Sequence, residues 1–224
     1  LFKDMYNYLK YCREENYWNE KVILSTIKSI LNHYIGKPPE KFDYKGQEYT
    51  PKSFYKDYMK IRQSDYAGFM STKSIPFYEQ GEFDVPDNWW NDSTYYNLPL
   101  YVWYDIIEKS IKAGYSVVIG GDVSEPGIIG EEDVAFIPSF DISGALIDQN
   151  SREYRIYNHT TTDDHGIHIV GHTSTREGLK KNSWYLIKDS ARSSRAGEFH
   201  GYYMFREDFI KLKMLTFMVH RDMV

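Results

Sequence analysis

The stretch that decides the fold lies in the C-terminal third of the chain and reads TTDDHGIHIVG from Thr161 to Gly171. An apolar segment ending in Lys188-Asp189-Ser190 follows it, and Gly201-Tyr202-Tyr203-Met204 comes next. Runs rich in β-branched and aromatic residues between turn residues predict strands. The pattern therefore places His165 at a turn-to-strand junction and Asp189 at the end of the next strand.

The composition is that of a globular protein with a real core, since 224 residues include 42% hydrophobic and 26% charged side chains. A net charge of −5 without a long basic run argues against nucleic-acid binding. No apolar stretch approaches the roughly 20 residues that a membrane helix needs. The start, Leu1 to Met5, resembles the middle of a helix rather than a signal peptide, which favours a processed or truncated chain. The compartment stays open.

The single cysteine, Cys12, excludes an internal disulfide framework and a cysteine-based zinc site. It lies on the apolar side of the first predicted helix, and no Gly-rich turn or helix start accompanies it to activate the thiol. We therefore predict a buried structural thiol rather than a nucleophile. No cofactor is predicted.

Helical periodicity fills the first part of the chain and stops at Gly36-Lys37-Pro38-Pro39. A short hairpin is expected around Gly46, and Thr50-Pro51 opens a helix that runs to about Lys60. Residues 62–98 show no regular pattern, and we expect Trp89 and Trp90 to pack within this irregular lobe.

A helix is expected from Leu100 to Ala113 and a buried strand over 115–123. From His165 onward the pattern predicts three or four strands and one short helix near residues 206–210. Helices first and antiparallel strands later indicate an α+β fold. The predicted organisation is a helical segment over 1–61, an irregular aromatic-rich lobe plus helix over 62–114, and a β-rich part over 115–224.

His165 is the candidate for proton transfer, and it needs a side chain that orients its ring. Two residues are candidates for that partner: Asn182, and Asp189 at the strand end, of which Asp189 is preferred. His168 lies three residues beyond His165, so an extended strand would turn the two imidazoles to opposite faces.

Asp-His-Gly, an apolar strand ending Leu-Ile-Lys-Asp-Ser, and then Gly-Tyr-Tyr resemble the pattern of the papain-like cysteine peptidases. Further segments resemble landmarks of one branch, bleomycin hydrolase and bacterial aminopeptidase C, in the same order. They are Gly36 to Pro39, Thr50 to Tyr55, Tyr96 to Leu100, Gly120 to Ser124 and Leu212 to Val224. The resemblance spans nearly the whole chain.

The resemblance implies a papain-like fold, peptide hydrolysis, His165 as general base and Asp189 as its orienting residue. Asp189 departs from the family's asparagine, but a carboxylate still accepts the ring N–H and stabilises an imidazolium. Ala191-Arg192-Ser193 replaces the aromatic residue that normally follows. The nucleophilic cysteine and the oxyanion-hole glutamine belong to an N-terminal segment absent here, so the implied partners are a peptide substrate and that segment. Self-association is left open.

Three other interpretations compete with the peptidase. A catalytically inactive papain-like module would serve in binding or assembly. His159, Asp163, Asp164, His165 and His168 offer ligands for a divalent cation, although their spacing does not favour a metal site. Exposed Trp89 and Trp90 would suit a sugar-binding domain.

Overall fold

The computed structural model describes residues 1–86, 88–177 and 180–224. Contacts divide the chain into two compact units, Leu1–Arg62 and Gln63–Val224. His165 and Asp189 both lie in the second unit.

The first unit contains two helices, a hairpin and a short helical turn. Their bounds are α1 (Phe2–Glu14), α2 (Glu20–Ile35), β1 (Phe42–Tyr44), β2 (Gln47–Tyr49) and α3 (Pro51–Ser53), which continues as a π-helical turn over Phe54–Met59. The predicted stop after α2 is confirmed, because Gly36 adopts φ +80° there. Thr50 caps α3 with a capping box, as its sequence predicts. Cys12 is fully buried in α1, as expected.

The second unit is built on one large sheet of ten strands, crossed by three helices. Its elements are β3 (Tyr66–Met70), β4 (Gln80–Gly81), β5 (Tyr95–Asn97), α4 (Leu100–Lys112), β6 (Val117–Gly121), β7 (Ile128–Ile129), β8 (Val134–Ala135), α5 (Gln149–Tyr157), β9 (His165–Glu177), β10 (Lys180–Lys188), β11 (Tyr202–Arg206), α6 (Glu207–Lys213) and β12 (Met214–His220). The strand order is β4-β5-β3-β12-β6-β9-β10-β11-β8-β7. The predicted α+β class is confirmed.

Residues 62–98, which were expected to be irregular, contain the three short strands β3, β4 and β5. Strand β3 forms by long-range pairing with β12, which no local pattern reveals. Its central Gly68 weakens the strand signal, yet a Cβ there would lie 3.3 Å from the Tyr95 ring. The close packing of that ring thus explains the glycine in β3, although glycine has a low strand propensity.

One face of the sheet is buried beneath α4, whose Trp103 and Ile107 are fully buried. The opposite face is open where β6, β12 and β9 lie side by side. Val118 on β6 is 45% exposed and Met218 on β12 is 44% exposed, whereas Val117 and Ile119 are fully buried. This strict alternation marks a sheet with one covered and one uncovered face.

Helix α5 is tied to the sheet through Arg152, a fully buried residue. Its guanidinium donates to the carbonyl oxygens of Ser71, Lys211, Met214 and Leu215 at 2.5–3.0 Å. In the described parts of the chain, no helix is long and apolar enough to cross a membrane.

Candidate active site

His165 and Asp189 are brought together at one end of the sheet. His165 is the first residue of β9 and lies opposite Gly121 of β6. Asp189 follows the last residue of β10 directly. The His165 Nε2 atom lies 2.7 Å from Asp189 Oδ1, a hydrogen-bond distance. The imidazole is 26% exposed and the carboxylate 5%, so Asp189 is the sheltered member of the pair.

The Asp189 side chain is fixed by its own neighbours. Its Oδ1 also accepts the backbone N–H of Ala191 at 3.0 Å. Its backbone N–H donates to the Gly201 carbonyl at 2.9 Å, and its carbonyl accepts the Ser194 hydroxyl at 3.2 Å. These contacts hold the carboxylate in place before any ligand arrives.

The contact with Asp189 assigns different roles to the two ring nitrogens of His165. A carboxylate oxygen only accepts, so Nε2 carries the hydrogen in this pair. Nδ1 is then the nitrogen that takes up or releases a proton. A histidine oriented in this way can act as general base and then as general acid.

The turn that precedes His165 is anchored to the end of β6 by two aspartates. Asp122 Oδ2 accepts the backbone N–H of Thr162 at 2.8 Å. Asp164 accepts the backbone N–H of Val123 at 2.9 Å and the hydroxyl of Ser124 at 2.6 Å. No positioning role was predicted for Asp122, because its partner Thr162 lies 40 positions later in the sequence.

The other predicted partner, Asn182, does not join the pair. It lies opposite Thr175 in the β9–β10 ladder, six residues before Lys188. At about 3.3 Å per residue this places it roughly 20 Å along the strand from the site.

His168 also lies apart from the pair. It stands opposite Val118 in the β6–β9 ladder, three residues along β9 from His165, and it does not contact Asp189 in the ladder. Burial, and then the charge of Lys188, lower the pKa of His168 below its ordinary value.

Two further sequence-based ideas can be compared with the structure. No group of three or more His, Cys, Asp or Glu side chains is arranged to hold a metal ion in the described ranges.

The expected packing of Trp89 and Trp90 was wrong, because they are 80% and 58% exposed. The buried Asn88 holds this turn instead, donating to the carbonyls of Phe83 and Asp92. The two indole planes stand at 86° to each other, and their exposure is what the sugar-binding interpretation requires.

A cavity of about 360 Å³ adjoins the imidazole on the open face of the sheet. Val118, Gly120, Gly166 and Met218 line it together with His165. No atom lies within 4 Å of a Cβ built at Gly166, so a ligand or another chain segment can approach the backbone closely there, whereas the Thr216 hydroxyl covers Gly120. The proton-transfer pair therefore stands at the edge of an accessible, partly apolar depression.

The family model of the Peptidase C1-like family matches residues 10–224. The chain belongs to the Peptidase C1-like family. The coarse expectation of a C1-type, papain-like peptidase family is thereby confirmed. No curated protein matches the chain.

Among solved structures, the crystal structure of PepW from Lactobacillus rhamnosis HN001 is similar to this member of the Peptidase C1-like family. The two share 16% sequence identity and superpose with a TM-score of 0.66. The match covers 99% of this chain and 53% of the PepW chain. The likeness establishes the fold, and this chain spans about half the length of its structural neighbour.

Proposed function

We propose that this chain supplies the proton-transfer half of a papain-like cysteine peptidase, with His165 as general base and Asp189 as its orienting residue. The observation that carries the proposal is the 2.7 Å contact between His165 Nε2 and Asp189 Oδ1. Membership of the Peptidase C1-like family supports the reaction class.

In the proposed reaction, His165 Nδ1 takes the proton of a cysteine thiol. The thiolate then attacks the carbonyl carbon of the peptide bond. The C–N bond breaks as the imidazolium returns the proton to the departing amine, which leaves an acyl-enzyme. His165 next takes a proton from water, the hydroxide displaces the thiolate, and the thiolate regains its proton. Asp189 keeps the ring oriented and stabilises its charged form throughout.

The nucleophile in this proposal lies outside the sequence. Cys12 is fully buried in the last turn of α1, whereas reactive cysteines are partly exposed and stand beside activating charges. We infer that an additional segment, on the same or a separate chain, carries the cysteine. The ordered sequence landmarks favour the bleomycin hydrolase and aminopeptidase C branch for the whole protein, and the proposed substrates are peptides.

The open face of the sheet is the proposed docking surface for that segment. Val118 and Met218 expose apolar surface there, directly beside the depression that His165 borders. Exposed apolar patches of this kind mark interaction sites. The occupant is the part of the family fold that this chain does not contain, in keeping with the 53% coverage of PepW.

A second candidate function is an inactive papain-like module that serves in binding or assembly. The observation that favours it is the segment after Asp189, where Ala191-Arg192-Ser193 offers no aromatic side chain to cover the His165–Asp189 contact. Without such a cover, the imidazole, which is 26% exposed, is oriented by the Asp189 carboxylate alone.

Labelling of the protein from its natural source with a thiol-directed epoxide distinguishes the two functions. The peptidase is expected to be modified at one cysteine other than Cys12, and His165→Ala should abolish the modification. Modification at Cys12, or no modification at native pH, would leave the inactive module as the better description. Intact mass under denaturing conditions then shows whether the labelled cysteine belongs to a second chain.

A further inference from the structure

A buried ion pair lies behind the turn that leads into His165. Lys213, the last residue of α6, is 3% exposed, and its ammonium donates to Glu125 Oε1 at 2.6 Å. The Glu125 side chain is 13% exposed. Both residues lie in the wall of a cavity of about 410 Å³, together with the buried Ile137 and Phe209. The pair is therefore largely shielded from water and has apolar neighbours.

Glu125 ends the chain segment that holds the His165 turn. Residues 122–124 make the hydrogen bonds to the turn, and Glu125 follows them directly. The start of this segment is bound to α6, because the Asp122 N–H donates to the Lys213 carbonyl at 3.0 Å. The ion pair binds the end of the segment to the same lysine. Both ends of the segment thus depend on Lys213.

Lys213 also contacts the turn directly. Its ammonium lies 3.4 Å from the Thr161 hydroxyl, which is a long hydrogen bond. Thr161 is 3% exposed, so the contact is sheltered from water. One ammonium therefore connects the two chain segments that meet at the site, residues 122–125 and residues 161–164.

An ion pair is a costly group to bury at this place. Burial raises the pKa of Glu125, and the opposing effect of Lys213 does not cancel the rise. Replacement of a buried ion pair by apolar side chains of similar volume is often neutral or stabilising. Apolar contacts are not directional, however, so they do not fix one segment against another as a short hydrogen bond does. The pair therefore contributes position rather than stability.

We propose that Lys213 and Glu125 are positioning residues for His165, because they hold the two segments in the arrangement that places the imidazole against Asp189. The inference deepens the proposed function and rests on it for the part that His165 plays in proton transfer. Neither positioning residue contacts the ring, so both act through the turn. Removal of the pair should leave the fold intact, loosen the turn and weaken the contact between His165 Nε2 and Asp189 Oδ1.

The test compares the 224-residue chain with the double variant Lys213→Met/Glu125→Met, in which two unbranched apolar side chains replace the pair. Hydrogen exchange is measured at the Thr162 amide in the turn and at the amide of the fully buried Ile169 in β9. We expect the protection of Thr162 to fall about tenfold or more relative to that of Ile169. The N–H proton of the His165 ring should shift or broaden in the same variant.

A second variant, Thr161→Val, removes only the hydroxyl that contacts Lys213. It should lower the relative protection of the Thr162 amide severalfold and leave the ion pair in place. Lys211→Met is the matched control, since this lysine lies on the same helix and pairs with Glu207. It should change neither the relative protection nor the ring proton.

Equal changes at the two amides in the double variant would reveal a merely structural role and overturn the proposal. A ring proton that is the same in the double variant and the wild type would also overturn it, as would a Thr162 amide that is unprotected in the wild type. A ring proton absent from the wild type would overturn the proposed function together with this inference, so the two failures are distinguishable.

Discussion

Gly121 lies directly opposite His165 in the β6–β9 ladder, and its own backbone packs against that of β12. A Cβ at this position would lie 2.5 Å from the Lys213 carbonyl oxygen and 2.6 Å from the Met214 Cα atom. Those are backbone atoms, which cannot rotate aside as a side chain does. The close approach of three strands at the site therefore depends on a glycine.

We expect Gly121→Ala to destabilise the second unit by about 2 kcal/mol or more, the usual cost of overpacking a core. Urea denaturation measures the difference. Gly166→Ala is the matched control, because no atom lies within 4 Å of a Cβ at that strand position. If the two variants lost equal amounts of stability, the close approach of β12 to β6 would not be the reason for the glycine at position 121.

Arg152 supports a second prediction, since its guanidinium donates to four backbone carbonyls in a fully buried position. Burial lowers the pKa of Arg152 to about 9, so the group is still charged at neutral pH. Arg152→Met would leave these carbonyls without donors, and we expect a loss of about 3 kcal/mol or more.

The control for this arginine is Arg221→Met, which removes an exposed guanidinium that donates to one carbonyl, that of Ser64. Its loss should stay below about 1 kcal/mol. Thermal unfolding of both variants gives the comparison. Similar melting temperatures for the two would mean that the carbonyls around Arg152 find other donors.

The sequence was sufficient to predict that His165 and Asp189 lie close together, because each lies at a strand end with a clear local pattern. Two adjacent antiparallel strands bring such ends together, whatever the rest of the chain does. The helix ends could also be predicted from the sequence, because Gly36 and Thr50 end or begin a helix through contacts with residues only a few positions away.

What the sequence did not reveal depends on partners far along the chain. Strand β3 forms by pairing with β12. The space beside Gly68 is limited by the ring of Tyr95, which lies 27 positions later in the sequence. The anchoring of the His165 turn by Asp122 is of the same kind. Local propensity carries no information about such contacts.

His168 provides a pH-dependent prediction. Because burial and Lys188 lower its pKa in the folded state, the unfolded chain binds this proton at higher pH than the folded chain does. Acidification through about pH 6.5 therefore favours unfolding. We expect His168→Gln to lose less stability than the wild type between about pH 7 and pH 5.

Urea denaturation at several pH values across that interval measures this effect. His200→Gln, which removes an exposed imidazole, should retain the wild-type dependence. If the free energy of unfolding of His168→Gln fell with pH as steeply as that of the wild type, the prediction would be contradicted. The acid sensitivity would then belong to other groups.

The His165–Asp189 contact has a direct spectroscopic consequence. A ring N–H that donates to a carboxylate at 2.7 Å resonates far downfield and exchanges slowly when its acceptor is sheltered. We expect such a proton in the wild type, its loss in Asp189→Ala, and a smaller downfield shift in Asp189→Asn, whose neutral oxygen is a weaker acceptor. His220→Gln, which removes another aspartate-paired imidazole, should leave the resonance unchanged. A resonance that persists in Asp189→Ala would separate the two residues and remove the basis for a shared role in proton transfer.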